Sequence, residues 1–190
     1  MPQMPRPFLL TTAVMACLCA QGAFAQSLPS RPGLWAEATE VKINGNAMPG
    51  GLDDMAEPMR NSIEQAMRKL GLPAGWSPRM SCRTPADLNL QNWLAKAAKD
   101  CGNLSSKLSG NKLSVSGTCS QGGSVAQLKG SAQFNGDKEM VYQARVETTF
   151  RGKQVVSETH SISKWVGADC SNPPPGIDPA WLDEMGDANG

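Results

Sequence analysis

The chain has 190 residues, in which 18 Lys and Arg residues nearly balance 17 Asp and Glu residues. The near-zero net charge, without any basic block, argues against a nucleic-acid partner and against electrostatic binding to a membrane surface. Beyond residue 25, where the pattern of the sequence changes, about 165 residues remain, a length that suits one domain with a buried core.

The N-terminal segment, residues 1–25, has the pattern of a secretory signal peptide. Arg6 supplies a positive charge, residues 8–18 form an apolar run too short to span a bilayer as a helix, and a small-x-small motif ends at Ala25. The segment predicts export to the periplasm with cleavage after Ala25. Attachment as a lipoprotein through Cys17 is the alternative, and the short apolar run before that cysteine disfavours it.

The mature chain is predicted to begin with a mobile leader at 26–32 and a strand at 33–43. Trp35, Thr39 and other strand-forming residues recur at alternate positions of this strand. The Asn and Gly residues at 44–45 favour a hairpin turn, so a short return strand is expected at 47–48.

One stripe of apolar side chains predicts the main helix. Met55, Met59, Ile63, Met67 and Leu70 recur at spacings of four, four, four and three, which places them on one helical face. We interpret the stripe as a core face packed on a sheet, because methionine fills irregular gaps well. The alternative is a thioether site for copper(I), which such spacings on a helix that needs an apolar face do not establish.

A second, shorter helix is expected after a Gly- and Pro-rich loop at 71–80. Thr84 and Pro85 are typical of the N-cap and first residue of a helix, which is predicted to end near Lys99. Leu88 and Leu94 are its expected core residues.

Residues 101–170 are predicted to form a β-meander. Its candidate strands, separated by turns rich in Gly and Asn, lie at 104–108, 112–119, 124–134, 138–150 and 154–166. Apolar Met140, Tyr142 and Val146 alternate with polar Gln143 and Arg145, so one face is apolar and the other is solvated. The pattern of the last strand does not fix its register.

Four cysteines remain once the signal segment is removed, and an exported chain is expected to oxidise them to disulfides. If the turn at 109–111 is a three-residue loop, Cys101 faces Cys119 across the hairpin, whereas a two-residue loop shifts the pairing by one. Cys82 would then join Cys170 by elimination. Four cysteines allow three connectivities, and the sequence leaves the other two open.

The C-terminal residues, 171–190, are predicted to form a Pro-rich linker and a short tail. The tail carries Trp181, Leu182 and Met185 after three successive prolines. It either folds back on its own domain or serves as a docking peptide for a partner.

The sequence offers no arrangement typical of catalysis, and we predict no catalytic residue, no metal site and no cofactor. His160 is the single histidine, and a catalytic triad or a metal site needs convergent partners. Nothing in the spacing of Glu139, Glu147 and Glu158 makes them an acid–base pair. We therefore expect a protein that is not an enzyme.

Several motifs of the chain occur together in a known family. They are Arg31-Pro32-Gly33-Leu34-Trp35, the Met-rich helix, Cys82-Arg83-Thr84-Pro85, Asp100-Cys101, the Gly110-Asn111 hairpin leading to Cys119, and Gly167-Ala168-Asp169-Cys170. Over roughly 31–170, the chain resembles the domain of unknown function 3617, a family of small exported proteobacterial proteins. The resemblance supports the location, the fold and the disulfides, and it implies no catalytic residues because the family has no established activity.

The predicted fold class is α+β: an antiparallel β-meander, as a curved sheet or half-barrel, with one or two helices packed on one face and two disulfides. Three segments are expected, namely the signal peptide at 1–25, a single domain at 26–170 and the tail at 171–190.

The expected function is that of a non-catalytic envelope protein that holds an apolar small molecule or lipid between sheet and helix. The residues expected to line such a site are Met55, Met59, Ile63, Met67 and Tyr142. The alternative is a periplasmic interaction module that binds a protein partner through a sheet edge or the tail. No nucleic-acid partner is expected, and the mature chain has no apolar run long enough for an integral membrane helix.

Overall fold

The computed structural model describes residues 26–49, 52–53, 55–99, 101–121, 124–171 and 173. Its strands are β1 (Gly33–Ile43), β2 (Asn46–Ala47), β3 (Ser77–Arg83), β4 (Ser105–Ser109), β5 (Lys112–Gln121), β6 (Ser124–Phe134), β7 (Glu139–Phe150) and β8 (Lys153–Gly167). Its helices are α1 (Glu57–Lys69) and α2 (Leu90–Ala97). The predicted signal peptide, its cleavage site and nearly all of the predicted tail lie outside the described residues.

The eight strands form one open antiparallel sheet. Its order is β2-β1-β8-β7-β6-β5-β4, with β3 also paired to β1. One side of β1 pairs with β8, so β2 and β3 share the other side. The predicted meander forms β4 to β8, and its short turns explain why these consecutive strands are also neighbours in the sheet. The turn before β8 is a two-residue loop in which Arg151 and Gly152 have φ of 50° and 76°, as a type I′ turn requires.

The two helices pack on opposite faces of the sheet. Ala36 and Ala38 of β1 belong to the cluster around α1, and Glu37 between them faces the other way. Pairing with β8 extends the two faces, since Ala38 lies opposite Ile162 and Glu37 lies opposite Ser163. The antiparallel sheet, the helices and the two disulfides are confirmed. The prediction put the helices on one face, and the structure differs because each face of the sheet presents its own apolar patch.

Helix α1 closes the first apolar cluster. Ile63, Ala66 and Met67 of the helix are buried against β1 and β3, together with Leu34 and Met80. Each of the larger side chains among them, Ile63, Met67, Leu34 and Met80, contributes about 1.5–3 kcal/mol when it is fully removed from water. The predicted stripe is therefore a core face, although Met59 at its N-terminal end is 41% exposed.

Helix α2 covers part of the opposite face, over β5, β6 and β7. The second cluster contains Leu90, Leu113, Val115, Ala132 and Phe134 as buried residues, with Trp93, Leu94, Met140 and Tyr142 packed against it. These are the apolar positions of the meander that sequence alternation identified, so the meander's apolar face is covered by the second helix and not by the Met-rich one.

Three local predictions were wrong. Residues 77–83 form β3, although Pro78 and neighbouring glycines favoured a loop; Pro is tolerated because β3 lies at a sheet edge. Helix α2 begins at Leu90, later than Thr84 and Pro85 suggested, because residues 85–88 form turns instead. Residues 26–30 are not a free leader, since Ser27 forms a β-bridge with Asn89.

Both predicted disulfides are present. Cys82 in β3 joins Cys170 after β8, across 88 residues, and Cys101 joins Cys119 in β5, across 18 residues. The premise for the second pair was wrong, because the β4–β5 loop has two residues and Ser105 pairs with Ser116. Cys101 still lies opposite Cys119, since one additional residue between Cys101 and Ser105 restores the alignment, as in a β-bulge.

Candidate ligand site

A cavity of about 410 Å³ lies between the sheet and the segments that precede and form α2. Its volume is in the range of small-molecule sites, about 300–1,000 Å³. Its lining is mainly apolar: Leu28, Leu88, Trp93, Leu113, Val115, Ala132, Phe134 and Met140, together with Tyr142, Glu37, Arg83 and Asp87. The cavity therefore offers an apolar interior with a few charged groups, which is the usual composition of a binding pocket.

Backbone hydrogen bonds fix the wall that faces the sheet. The amide of Leu28 donates to the carbonyl of Leu88 over 2.8 Å, and the amide of Leu90 donates to the carbonyl of Gln26 over 3.0 Å. Asn89 caps α2, because its side-chain oxygen accepts from the amides of Gln91 and Asn92. Residues 26–30, which were predicted to belong to a mobile leader, are thus part of the cavity wall. The apolar Leu28 was the one sequence feature that could have indicated this.

A turn closed by Thr84 and Asp87 leads from β3 to this wall. Asp87 Oδ2 accepts from the Thr84 hydroxyl over 2.6 Å and from the Thr84 amide over 3.0 Å. Lys96 of α2 binds the other carboxylate oxygen over 2.9 Å. The Thr84 hydroxyl, followed by Lys96, lowers the pKa of Asp87 to about 2. Asp87 is therefore an anion at neutral pH, and its charge is offset by a lysine from the helix it helps to place.

A largely buried ion pair forms the polar end of the cavity. Arg83 Nη2 lies 3.3 Å from Glu37 Oε2, and the two side chains are 17% and 22% exposed. Ser163, which is fully buried, donates to the same Glu37 oxygen over 2.9 Å and accepts from Arg83 Nη2 over 3.2 Å. Three neighbouring strands, β3, β1 and β8, thus bring one residue each to a single polar cluster.

Further contacts hold this cluster in place. The Thr39 hydroxyl donates to Glu37 Oε1 over 3.1 Å and also lies 2.7 Å from the buried Ser161 hydroxyl. Arg83 stacks over the ring of Trp35 at 4.4 Å, a distance typical of a cation–π contact. The sequence analysis did not identify this cluster. Two sequence features could have indicated it. One is Glu37 within a mostly apolar first strand, and the other is the pair Ser161 and Ser163 in β8, which lie opposite Thr39 and Glu37.

Tyr142 lies on the floor of the cavity. Burial raises the pKa of its phenol, and the negative charge of Glu37 adds to the effect. A side chain at Gly130 on the adjacent strand would come within 3.4 Å of the Tyr142 hydroxyl. The Tyr142 side chain therefore packs directly beside Gly130.

The residues predicted to line a ligand site are not brought together. Tyr142 lines the cavity, whereas Ile63 and Met67 are buried in the α1 cluster on the opposite face and Met55 packs beside them. Met59 is exposed. These α1 residues do not line the cavity, which lies on the opposite face of the sheet. A ligand between α1 and the sheet therefore remains an untested prediction.

His160 lies on the face of the sheet opposite the cavity, as do the three glutamates considered above, Glu139, Glu147 and Glu158. The imidazole of His160 packs edge-on against Trp76, with ring centroids 4.9 Å apart. Arg145 is bound by Glu147 at 2.8 Å and by Glu158 at 2.6 Å. In the part of the chain that the structure describes, no group of three His, Cys, Asp or Glu side chains is placed to hold a metal ion. Over the same residues, no helix is long and apolar enough to cross a bilayer.

Fold and cavity together define a small disulfide-linked protein with one open antiparallel sheet and a partly apolar pocket on one face. Comparison with family models gives the family: residues 30–170 match the model described as "Protein of unknown function (DUF3617)". The chain belongs to this family, as its motifs indicated. Comparison with curated proteins and with solved structures gave no match.

Proposed function

We propose that this protein is an exported, non-catalytic protein of the cell envelope that binds an apolar small molecule or lipid in the cavity beside α2. The observation that carries the proposal is the cavity itself, about 410 Å³ with eight apolar residues in its lining. The pocket is partly open to solvent, and a mainly apolar lining with a few polar groups is typical of small-molecule sites. Burial of apolar ligand surface there would be favourable by about 25 cal/mol per Å².

Two features of the chain support export. Both disulfides are formed, and such bonds persist in oxidising compartments such as the periplasm. The N-terminal sequence pattern independently favours a cleaved signal peptide. N-terminal sequencing of the protein from a periplasmic extract should therefore begin at Gln26; a start at Cys17 with a lipid attached would support the lipoprotein alternative.

The contacts of the polar groups in and around the cavity support a binding role over a catalytic one. Glu37 already accepts hydrogen bonds from Thr39, Ser163 and Arg83. Asp87 is held by Thr84 and Lys96 in a low-pKa state that is poorly suited to accept a proton at neutral pH. Both carboxylates are thus occupied by hydrogen bonds within the protein.

The binding test uses a neutral fluorescent probe of apolar sites, N-phenylnaphthylamine. We expect its emission to rise on binding to the wild-type protein and to fall when decanoate or decanol displaces it. Ala132→Leu places a larger side chain in the cavity and should abolish probe binding. Ser131→Leu is the matched control, because the neighbouring residue of β6 points to the opposite face.

Two results would contradict the proposal. One is the absence of any probe binding to folded wild-type protein. The other is equal binding by wild-type and Ala132→Leu proteins that have the same melting temperature. If Ala132→Leu does not fold, native mass spectrometry of the wild-type protein from its own periplasm decides, since a ligand held in the cavity should appear as added mass.

A further inference from the structure

We propose that the ligand of the cavity is an uncharged molecule whose apolar body carries a carbonyl oxygen, as in a ketone or an ester, and that Arg83 and Tyr142 bind this oxygen. The inference rests on the proposed function, since it names the polar group of the molecule that occupies the cavity. Its basis is a set of hydrogen-bond donors without acceptors in a lining whose charges are already paired.

The charged groups of the lining have their counter-ions within the protein. Arg83 lies 3.3 Å from Glu37, and Lys96 of α2 lies 2.9 Å from Asp87. Arg79, on the same face of β3 as Arg83, also has a partner of its own. A ligand carboxylate would therefore be an additional anion beside Glu37 and Asp87. A charge in a largely buried site is costly unless it is paired, so the lining favours an uncharged ligand.

Arg83 keeps donors that no protein group uses. In the part of the chain that the structure describes, its hydrogen bonds to Glu37 and Ser163 both come from Nη2. A guanidinium group has five N–H donors, so those of Nε and Nη1 are left without an acceptor. Neither nitrogen is enclosed by protein atoms, and Arg83 lines the cavity. A ligand oxygen satisfies these donors, whereas an apolar group that displaces water from them leaves them unbonded.

The Tyr142 hydroxyl is a second donor without an acceptor. Among the described residues none forms a hydrogen bond with it, although buried tyrosine hydroxyls usually have a partner. Burial and the charge of Glu37 raise the pKa of the phenol, so it keeps its proton at neutral pH. Tyr142 lies opposite Ser161, which contacts the Thr39 hydroxyl that donates to Glu37. Since Glu37 also pairs with Arg83, both donors belong to the polar end of the cavity.

A carbonyl group fits these donors better than a hydroxyl group does. Its oxygen has two lone pairs and can accept from both Arg83 and Tyr142. A hydroxyl would add a donor, and the carboxylate oxygens of Glu37 and Asp87 already accept hydrogen bonds within the protein. Ketones and esters supply an uncharged acceptor and no donor, which is the chemistry that this lining lacks.

The test uses two ligands that differ only at the head group, methyl nonyl ketone and decanoate, as competitors of N-phenylnaphthylamine at pH 7. The methyl group of the ketone replaces one oxygen of the carboxylate, so the nonyl chain and the carbonyl carbon are common to both. We expect the ketone to bind the wild-type protein about tenfold more tightly, since decanoate adds an unpaired charge. Equal binding, or tighter binding of decanoate, would overturn the inference and leave the proposed function intact. No binding of the probe or of either ligand would overturn both.

Tyr142→Phe removes one of the two donors and keeps the ring. In this variant the affinity for the ketone, relative to that for the probe, which has no carbonyl, should fall about fivefold. Ser131→Ala is the matched control, because it removes a hydroxyl from the opposite face of the sheet and should leave this ratio unchanged. A cavity that selects ligands by apolar contact alone gives the wild-type ratio in Tyr142→Phe, and that result would overturn the role of Tyr142.

A double variant, Arg83→Met with Glu37→Gln, tests the other donor. It removes both charges together, so that no charge is left buried without its partner. The affinity for the ketone relative to the probe should fall about tenfold, because hydrogen bonds from a charged donor are the stronger ones. Arg145→Met, on the opposite face, is the control and should leave the ratio unchanged. The wild-type ratio in the double variant would overturn the role of Arg83.

Infrared spectroscopy of the bound ketone keeps the inference testable if a variant does not fold. A carbonyl that accepts hydrogen bonds absorbs at a lower wavenumber than the same carbonyl in hexane. We expect this shift for methyl nonyl ketone bound to the wild-type protein, and a smaller shift in Tyr142→Phe. Absorption of the bound ketone at its position in hexane would overturn the inference, since purely structural roles for Arg83 and Tyr142 bring no donor to the ligand.

Discussion

At the scale of single residues, buried polar groups set the chemistry of the candidate site. Ser163 is fully buried and is the only side chain described that bonds to both members of the Glu37–Arg83 pair. Buried hydroxyl groups are costly unless they are bonded, and here the bonds cross from one strand to the next. The position of Arg83 thus depends on a serine 80 residues away in the sequence.

Replacement of Ser163 by alanine should lower the free energy of unfolding by about 1–3 kcal/mol, because Glu37 loses a donor and Arg83 loses an acceptor inside the protein. Chemical denaturation followed by tryptophan fluorescence measures the loss. Ser114→Ala, at an exposed position of β5, is the control and should change it by less than about 0.5 kcal/mol. Equal values for the two variants would show that the buried bonds contribute nothing.

At the scale of elements, the turn between β3 and α2 places one wall of the cavity. The sequence pattern predicted Thr84 as the N-cap of the helix. In the structure Thr84 instead closes a local turn with Asp87, and Asn89 caps the helix. Both residue types make the same local hydrogen bonds in turns and at helix ends, so pattern alone does not separate the two cases. Backbone hydrogen bonds between residues 26–28 and 88–90 also hold the start of α2, and no local pattern shows these long-range contacts.

We predict that Thr84→Val raises the pKa of Asp87 from about 2 toward its ordinary value, because the hydroxyl bond is the largest cause of the shift. Since the folded-state pKa lies below the unfolded one, Asp87 stabilises the fold above about pH 4 and loses this contribution as the pH falls toward about 2. A carboxyl carbon NMR titration measures the change.

Thr84→Ser keeps a hydroxyl at the same position and is the matched control for this titration. Its Asp87 should keep a low pKa, whereas an unchanged pKa in Thr84→Val would assign the shift to Lys96 and the Thr84 amide. The stability of Thr84→Val should correspondingly depend less on pH between about 2 and 4.

At the scale of the whole molecule, most of the sheet was predictable and the site was not. Alternation in residues such as Met140 and Tyr142 is a local signal, and it located the meander strands to within a few residues. The first strand and the Met-rich helix were equally clear. The ion pair between Glu37 and Arg83 and the contact of Leu28 with the second cluster join segments 46 or more residues apart, and such pairings leave no local pattern. The face of the sheet that each helix covers also depends on tertiary packing, which no local pattern shows.

The disulfide between Cys82 and Cys170 should be the stronger of the two constraints on the unfolded chain. Its loop spans 88 residues, against 18 for Cys101 and Cys119. Chain entropy predicts a loss of about 4 kcal/mol when Cys82 and Cys170 are both replaced by serine, and about 3 kcal/mol for the other pair. Thermal unfolding of the two double variants gives the comparison, and a melting temperature unchanged by the first replacement would contradict the role assigned to that bond.

The placement of one apolar cluster on each side of a single sheet has a consequence for how this family can change over time. Substitutions among the side chains under α1 are separated from the pocket by a full layer of backbone, and distant sites tend to respond independently. Substitutions in one cluster can therefore occur with little effect on the packing of the other. Members of the family should differ more in the residues equivalent to Leu113, Ala132 and Phe134 than in those that seat the Met-rich helix.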